Sequence, residues 1–388
     1  MVQQWLLSWF DKNHRDLPWR NNRDPYSIWV SEVMLQQTQV ATVLRYFEPF
    51  LRAFPTVKAL AAGTEQEVLR RWEGMGYYRR AHHLHQAAQR LVAEHGGRIP
   101  NDSEVFGDLP GVGRYIRGAV LSQAFDRRLP ILEANSRRVL CRLLGRKPSQ
   151  EDKAPREGEA PAELQTAKGR LGRSLALPNN LDFPRGGEEW LWRTAEALLP
   201  TRRIGDFNQA LMELGALVCT PARPGCNDCP LKTCCVACRR GLQREIPGPR
   251  LSPSEVVVQE VAVVIRRGNR VLLVQRPLSG RWAGMWEFPH DQVNAEETHE
   301  RAARRVAKKL VGLDIRLGPE ILTLKHSVTR FRIVLTCFEA FFRAGKFRSR
   351  YYRRSCWLTP TQVQSLPLSA PQRRLARTLI GPRQRKLF

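Results

Sequence analysis

Three stretches of this 388-residue sequence could do chemistry: a carboxyl set in apolar company, a glycine turn feeding a helix, and a short loop crowded with thiols. Glu32 stands among Val30, Val33 and Met34. A carboxyl desolvated in such a setting holds its proton to higher pH and can act as a general acid. The polar run Gln36-Gln37-Thr38-Gln39 follows at once. Four polar side chains in a row cannot all face a core, and amides suit hydrogen bonding to base edges. In Leu109-Pro110-Gly111-Val112-Gly113-Arg114, two glycines allow a sharp turn into a helix whose first N–H groups point outward. Such a helix start binds phosphate, and Arg114 would add charge. Met75 and Tyr77 alternate with Gly74 and Gly76, an apolar tip and a ring on a turn. That pairing suits a wedge between bases and a stacking surface. Finally, Cys219, Cys226, Cys229 and Cys235 form C-x6-C-x2-C-x5-C, and four thiolates in so short a loop can close around an iron–sulfur cube. Cys226, Cys229, Cys235 and Cys238 offer a four-cysteine zinc knot instead, although its inner loop is shorter than usual for zinc.

These residues need rigid elements behind them. Helical spacing predicts a helix at Trp5–Phe10, a second over Ile28–Tyr46 that carries Glu32, and another after Phe54-Pro55 capped by Thr56. His82, His83 and His85 lie on a helix and read as a solvated face rather than metal ligands. The apolar run Leu129–Leu132 leads to a second isolated carboxylate, Glu133. From about 147 to 187 the chain is charged and poor in large apolar residues, which predicts a flexible surface insertion. Prolines and glycines mark 239–255 as a linker, and strands are expected at Val256–Arg266, Arg270–Gln275 and Ile333–Phe342. The length suits two or three domains. Net charge is +26 and the isoelectric point about 10.6, which favours a polyanionic partner. No run approaches the roughly 18 apolar residues of a membrane span. Nor does the N-terminus read as a secretion signal, so a cytoplasmic protein is expected, its nine cysteines reduced or metal-bound.

The string LPGVGR-x-x-x-GAV, together with SEVMLQQTQV and the cysteine spacing, resembles the helix-hairpin-helix DNA glycosylases. Among them it is most similar to the MutY family of adenine glycosylases, from about Trp5 to Cys235 and again, more weakly, from about Glu260 onward. The resemblance implies removal of adenine mispaired with 8-oxoguanine or guanine in double-stranded DNA, with the nucleotide drawn out of the stack. It implies that Glu32 protonates adenine at N7 and that Glu133 steadies the cationic sugar. Tyr115 and Asn135 would help position sugar and water, while Arg20 and Gln209 contact adenine. Gln37 and Thr38 would approach the opposite guanine, Met75 would stand at the wedge position and Tyr77 would intercalate or stack. Gly111, Gly113 and Arg114 would grip phosphate, and Cys219, Cys226, Cys229 and Cys235 would hold a 4Fe–4S cluster. A monomeric, bacterial, nucleoid-associated enzyme is expected.

The sequence departs from the family pattern at informative places. Glu133 and Ala134 replace the usual Asp-Gly, which lengthens the second acid by a methylene. Ile116 and Arg117 replace a small pair. Tyr115 stands where strand-cutting relatives carry a Schiff-base lysine, so a monofunctional glycosylase is expected. The alternatives are a bifunctional glycosylase/lyase similar to endonuclease III and a DNA-binding homologue impaired by the change at Glu133. The C-terminal strings Val271–Pro277 and Gly280–Pro289 resemble the Nudix fold, but the helix Arg301–Gly312 carries Lys308, Lys309 and Leu310 where a Nudix hydrolase needs magnesium-binding carboxylates. The resemblance to the adenine glycosylases implies that this domain recognises the damaged guanine through His326–Phe331, with Thr329 and Arg330 as its contacts. The resulting expectation is a mainly α N-terminal glycosylase domain (residues 1–238), a linker (239–255) and an α+β Nudix-like domain (256–388).

Overall fold

The computed structural model describes residues 1–147, 188–248, 255–328 and 330–380. The insertion expected at 147–187 thus lies almost wholly outside the described residues, as do Thr329 and part of the linker. The helices run in order α1 (Val2–Asn13), α2 (Pro25–Leu35), α3 (Val40–Ala53), α4 (Val57–Ala62), α5 (Glu65–Trp72), α6 (Arg79–His95), α7 (Ser103–Gly107), α8 (Arg114–Phe125), α9 (Ala134–Leu144), α10 (Glu189–Ala197), α11 (Ile204–Leu217) and α12 (Val236–Arg240). Strands β1 (Val256–Arg267), β2 (Arg270–Gln275), β3 (Trp286–Glu287) and β4 (His290–Gln292) follow. After α13 (His299–Arg305) and a π-helical turn (Val306–Leu310) come β5 (Leu313–Val328), β6 (Phe331–Gly345), β7 (Arg354–Leu358), α14 (Pro360–Val363) and α15 (Ala370–Thr378). Among the described residues no helix is long and apolar enough to cross a membrane.

By compactness the chain forms two units, Met1–Gln37 with Ala93–Leu251, and Thr38–Val92 with Ser252–Phe388. This grouping cuts across the linear division read from sequence. Its physical basis is visible inside the second unit. Arg373 binds Glu73 in a two-pronged pair at 2.5 and 2.6 Å, the Trp286 indole donates to Gln66 at 2.7 Å, and His82 Nε2 bonds the Ala283 carbonyl at 2.9 Å. Side chains from α5, α6 and the turn between them are thereby tied to the sheet domain.

In the first unit, α2 begins where the sequence demands. Pro25 occupies its first turn, and the Asp24 side chain accepts from the N–H groups of Tyr26 and Ser27. The helix stops at Leu35, eleven residues short of the expected Tyr46. Gln36–Gln39 form a break, with Gln37 at φ 53°, before α3 starts. A run of four polar residues cannot follow the buried face of α2, so it leaves the helix. Gly111 supplies the turn before α8 at φ 76°, in the left-handed region that glycine enters freely. Gly118 does a different job. A Cβ there would sit 2.4 Å from the Pro130 carbonyl oxygen, so only glycine lets the 129–132 run lie against α8 and deliver Glu133 beside it. Helix α11 packs on α1, α8 and α9 around a core of Leu6, Leu140, Trp190, Phe207 and Leu214.

The second unit holds a sheet in the order β3-β2-β1-β6-β5, with β4 pairing β1 and β7 pairing β2. β1 and β6 run parallel, from Val256 opposite Phe331 to Arg266 opposite Phe341. Alternation sorts β1 into two faces: Val261, Val263 and Ile265 pack under α13, while Ala262 and Val264 pack with Leu375 of α15. Strands appear at all three places where the sequence expects them. The fold is a mainly α part with a helix-hairpin-helix and an α+β Nudix-like part, as expected.

Candidate active site

Glu32 points from α2 into the interface with α8 and is 3% exposed. The Tyr115 hydroxyl donates to its Oε2 at 2.6 Å and the Gln123 amide donates to its Oε1 at 2.8 Å. Burial raises the carboxyl above its ordinary value of 4.5; the two hydrogen bonds and the Arg20 charge work against this, and the charge of Glu133 adds to it. The Tyr115 phenol is pushed well up, by burial and then by the charge of Glu32. Sequence reasoning found Glu32 and Tyr115 but missed Gln123. The available signal was an amide within Val120-Leu121-Ser122-Gln123, a buried stretch of α8.

Glu133 lies within electrostatic reach of both Glu32 and Tyr115. It is the N-cap of α9. Its oxygens accept the N–H groups of Asn135 and Ser136, each at 2.7 Å, and the Ser136 hydroxyl accepts the Glu133 N–H at 2.8 Å. Burial raises the Glu133 carboxyl, while the two backbone N–H groups and Arg138 oppose the rise. Asn135, expected beside sugar and water, has its side-chain oxygen bound to Arg138 at 2.8 Å. Arg138 in turn binds the carbonyls of Gly215 and Cys219, each at 2.7 Å.

Arg20, half-buried, donates to Glu213 at 3.0 Å and to the Arg15 carbonyl at 2.9 Å. Glu213 is 1% exposed. Against the pull of burial, Arg15 and Arg20 bring its carboxyl down to about 2. This anion was not anticipated, although a Glu in Ala210-Leu211-Met212-Glu213-Leu214 is the same signal that marks Glu32. Gln209 sits one turn before Glu213 on α11, on the same helix face.

At the turn expected to grip phosphate, Gly113 caps α8. Arg114 is exposed, paired with Glu189 at 2.8 Å and stacked 4.1 Å over the Trp192 ring. Gln37 is exposed in its left-handed turn. In the second unit, Thr38 Oγ1 accepts from Arg80 at 3.0 Å. Tyr77 is 49% exposed at φ 48°, with the Arg80 guanidinium 5.3 Å from its ring. Met75 differs from expectation: it is 6% exposed, packed under the turn rather than offered as its tip. An unbranched apolar side chain gains more from the core beneath than from solvent, so the exposed group of this turn is Tyr77. The histidines also differ. His82 and His85 are buried rather than solvated, His82 bonded to Glu65 and Ala283, and His85 to the Gly63 carbonyl. Arg330 is exposed at the β5–β6 turn, 5.2 Å from the Phe331 ring, and Lys308 and Lys309 are exposed on the π-helical turn.

The thiols of Cys219, Cys226, Cys229 and Cys235 are half-buried and feel one another's charge. Burial foremost, and then their mutual repulsion, pushes Cys229 up to about 12 and Cys235 to about 11. Cys234 turns away and bonds the Leu231 carbonyl, whereas Cys238 lies near Cys226. Arg142 donates to Cys219 Sγ at 3.4 Å. Among the described residues no His, Cys, Asp or Glu set converges on a single ion. Four soft thiol donors within one short loop are the donor chemistry that an iron–sulfur cluster or a zinc ion takes.

Residues 30–163 match the family described as HhH-GPD superfamily base excision DNA repair protein, and residues 260–378 match the NUDIX domain. The chain is 36% identical over 351 residues to the mouse adenine DNA glycosylase, covering 77% of this chain and 62% of that protein. It is 34% identical over 390 residues to the human one, covering 84% and 65%. It is 30% identical over 293 residues to the adenine DNA glycosylase of Buchnera aphidicola subsp. Schizaphis graminum, covering 75% of each. The chain thus spans less than two thirds of the two mammalian relatives. An identity of 30% over three quarters of the bacterial relative, together with the family matches at residues 30–163 and 260–378, carries one conclusion: the chain belongs to the adenine DNA glycosylase family.

Proposed function

We propose that this protein is a monofunctional DNA glycosylase of base excision repair that releases adenine mispaired with 8-oxoguanine or guanine. The observation that carries the reading is Glu32. It is a buried carboxyl with raised proton affinity, held at both oxygens and within electrostatic reach of a second acid. Once the nucleotide is drawn out of the duplex, Glu32 gives its proton to adenine N7. The C1′–N9 bond breaks with its electron pair going to adenine, and the Glu133 carboxylate stabilises the oxocarbenium ion left behind. Water then adds to C1′ and its proton returns to Glu32. Arg20, fixed by Glu213, lines the adenine side, with Gln209 one turn from that anion. Tyr115 offers a phenol committed to Glu32 and no amine, which supports hydrolysis rather than a Schiff base.

Double-stranded DNA is the partner, gripped through Gly111, Gly113 and Arg114, and opened by Tyr77 over a packed Met75. Gln37, Thr38, Thr329 and Arg330 are assigned to the opposite guanine. Cys219, Cys226, Cys229 and Cys235 would hold a 4Fe–4S cluster, which supplies a cross-link that shapes the loop. Hydrolysis of the glycosidic bond needs no electron from it. The basic charge fits a monomer acting at the bacterial nucleoid.

The test is a duplex carrying adenine opposite 8-oxoguanine, assayed for strand breaks with and without hot alkali. Breaks that appear only after alkali support this reading. Direct breaks would favour a lyase, and no base release would leave a DNA-binding homologue. Purified protein should be brown and contain iron; a colourless, zinc-containing preparation would overturn the cluster assignment.

A further inference from the structure

The geometry points to Gln123 as a positioning residue that fixes which oxygen of Glu32 carries the acidic proton. This rests on the reading of Glu32 as the general acid. The two oxygens of Glu32 are not equivalent. Oε2 meets a phenol at 2.6 Å and Oε1 meets an amide nitrogen at 2.8 Å, both reaching in from α8 across about 12 Å of helix. A phenol hydroxyl can donate or accept, whereas an amide nitrogen only donates. Oε1 must therefore accept in both protonation states and serve as the carbonyl oxygen of the acid. The proton falls to Oε2, where the Tyr115 hydroxyl turns from donor to acceptor as Glu32 gains it.

The amide orientation follows from the chemistry as well as from the distance. With its oxygen turned toward Glu32, Gln123 would place two acceptors face to face whenever Glu32 is ionised. A general acid must pass through that state in every turnover, so only the nitrogen-inward orientation serves both halves of the cycle. The position itself is costly for an amide: Gln123 is buried on α8 beside Ser122, whose hydroxyl is held by Asn208 at 2.9 Å. A purely structural α8 would place an apolar side chain there, which would leave Glu32 Oε1 buried without this donor.

The experiment follows the single-turnover rate of adenine release from an A:8-oxoguanine duplex against pH, in wild-type protein, Gln123→Leu and Glu32→Gln. The hydrogen bond from Gln123 favours the anion, so its loss should move the basic limb of the profile about one pH unit higher. The plateau rate should fall about tenfold as the carboxyl loses its fixed orientation, with duplex affinity within about twofold. A limb that stays in place overturns the proposal, whether or not the rate falls. If Gln123→Leu loses duplex binding, Gln123→Met, unbranched and without a donor, carries the test. Loss of binding in both variants makes Gln123 a packing residue and also overturns the proposal. The two readings fail separately. No adenine release by wild-type protein, or full activity in Glu32→Gln, sinks the general acid. A dead Glu32→Gln with an unmoved limb in Gln123→Leu sinks only the role of Gln123.

Discussion

The proposed role of Glu32 needs a carboxyl that holds its proton, and burial raises it above its ordinary value of 4.5. Glu32→Gln keeps the size and the hydrogen-bonding capacity but removes the proton. Adenine release should fall by about 100-fold or more, measured under single turnover. Glu133 raises a different question, because its charge and its cap are the same atoms. Glu133→Ser separates them: serine caps a helix well but carries no charge. Melting should shift little, while base release should fall by about 100-fold; an unchanged rate would assign Glu133 to the cap alone. Glu213 runs opposite to Glu32 in sign. Its folded value of about 2 lies below its ordinary 4.5, so its contribution is fully present above pH 4.5 and is lost as pH falls toward 2. The difference corresponds to about 3 kcal/mol. Glu213→Gln should cost about that much in denaturant unfolding at pH 7, with the loss shrinking in acid.

At the scale of elements, α8 organises the site. Gly113 caps its N-terminus, Tyr115 and Gln123 hold Glu32, and Gly118 admits the 129–132 run that leads to Glu133. Ending α2 at Leu35 leaves Gln37 in an exposed, left-handed turn, a conformation costly for a residue with a side chain. In the second unit, the turn that carries Tyr77 is anchored by Glu73, whose carboxylate is clasped by Arg373 with both side chains less than a tenth exposed. Removing one partner of such a pair strands the other. Arg373→Ala should destabilise the protein by about 3–5 kcal/mol, read from urea midpoints at constant m-value.

For the whole molecule, a net charge of +26 would make the proposed association with DNA chiefly a release of counterions. Duplex affinity should fall steeply and log-linearly with salt, for matched and mismatched DNA alike. The preference for the mismatch, which depends on base contacts, should change far less. A shallow slope, losing less than about tenfold between 50 and 200 mM salt, would contradict a broad phosphate-gripping surface. The four thiols lie half-buried in one loop, so if the proposed cluster is removed that loop should lose its shape before α8 and α9 do.

Much of this was legible in one dimension. The buried carboxyl of Glu32, the glycine turn, the cysteine spacing, the tyrosine at 115 and the strands of the sheet are local signals, because residue type, spacing and periodicity are written along the chain. What tertiary structure alone decided were the relations between distant segments. Gln123 meets Glu32 across 91 positions, Glu213 meets Arg20 across 193, and Glu73 meets Arg373 across 300. The burial of Met75 and His82 belongs to the same class. A side chain's exposure is set by what packs against it, and no local pattern in the 70s and 80s records that residue 283 will be the neighbour.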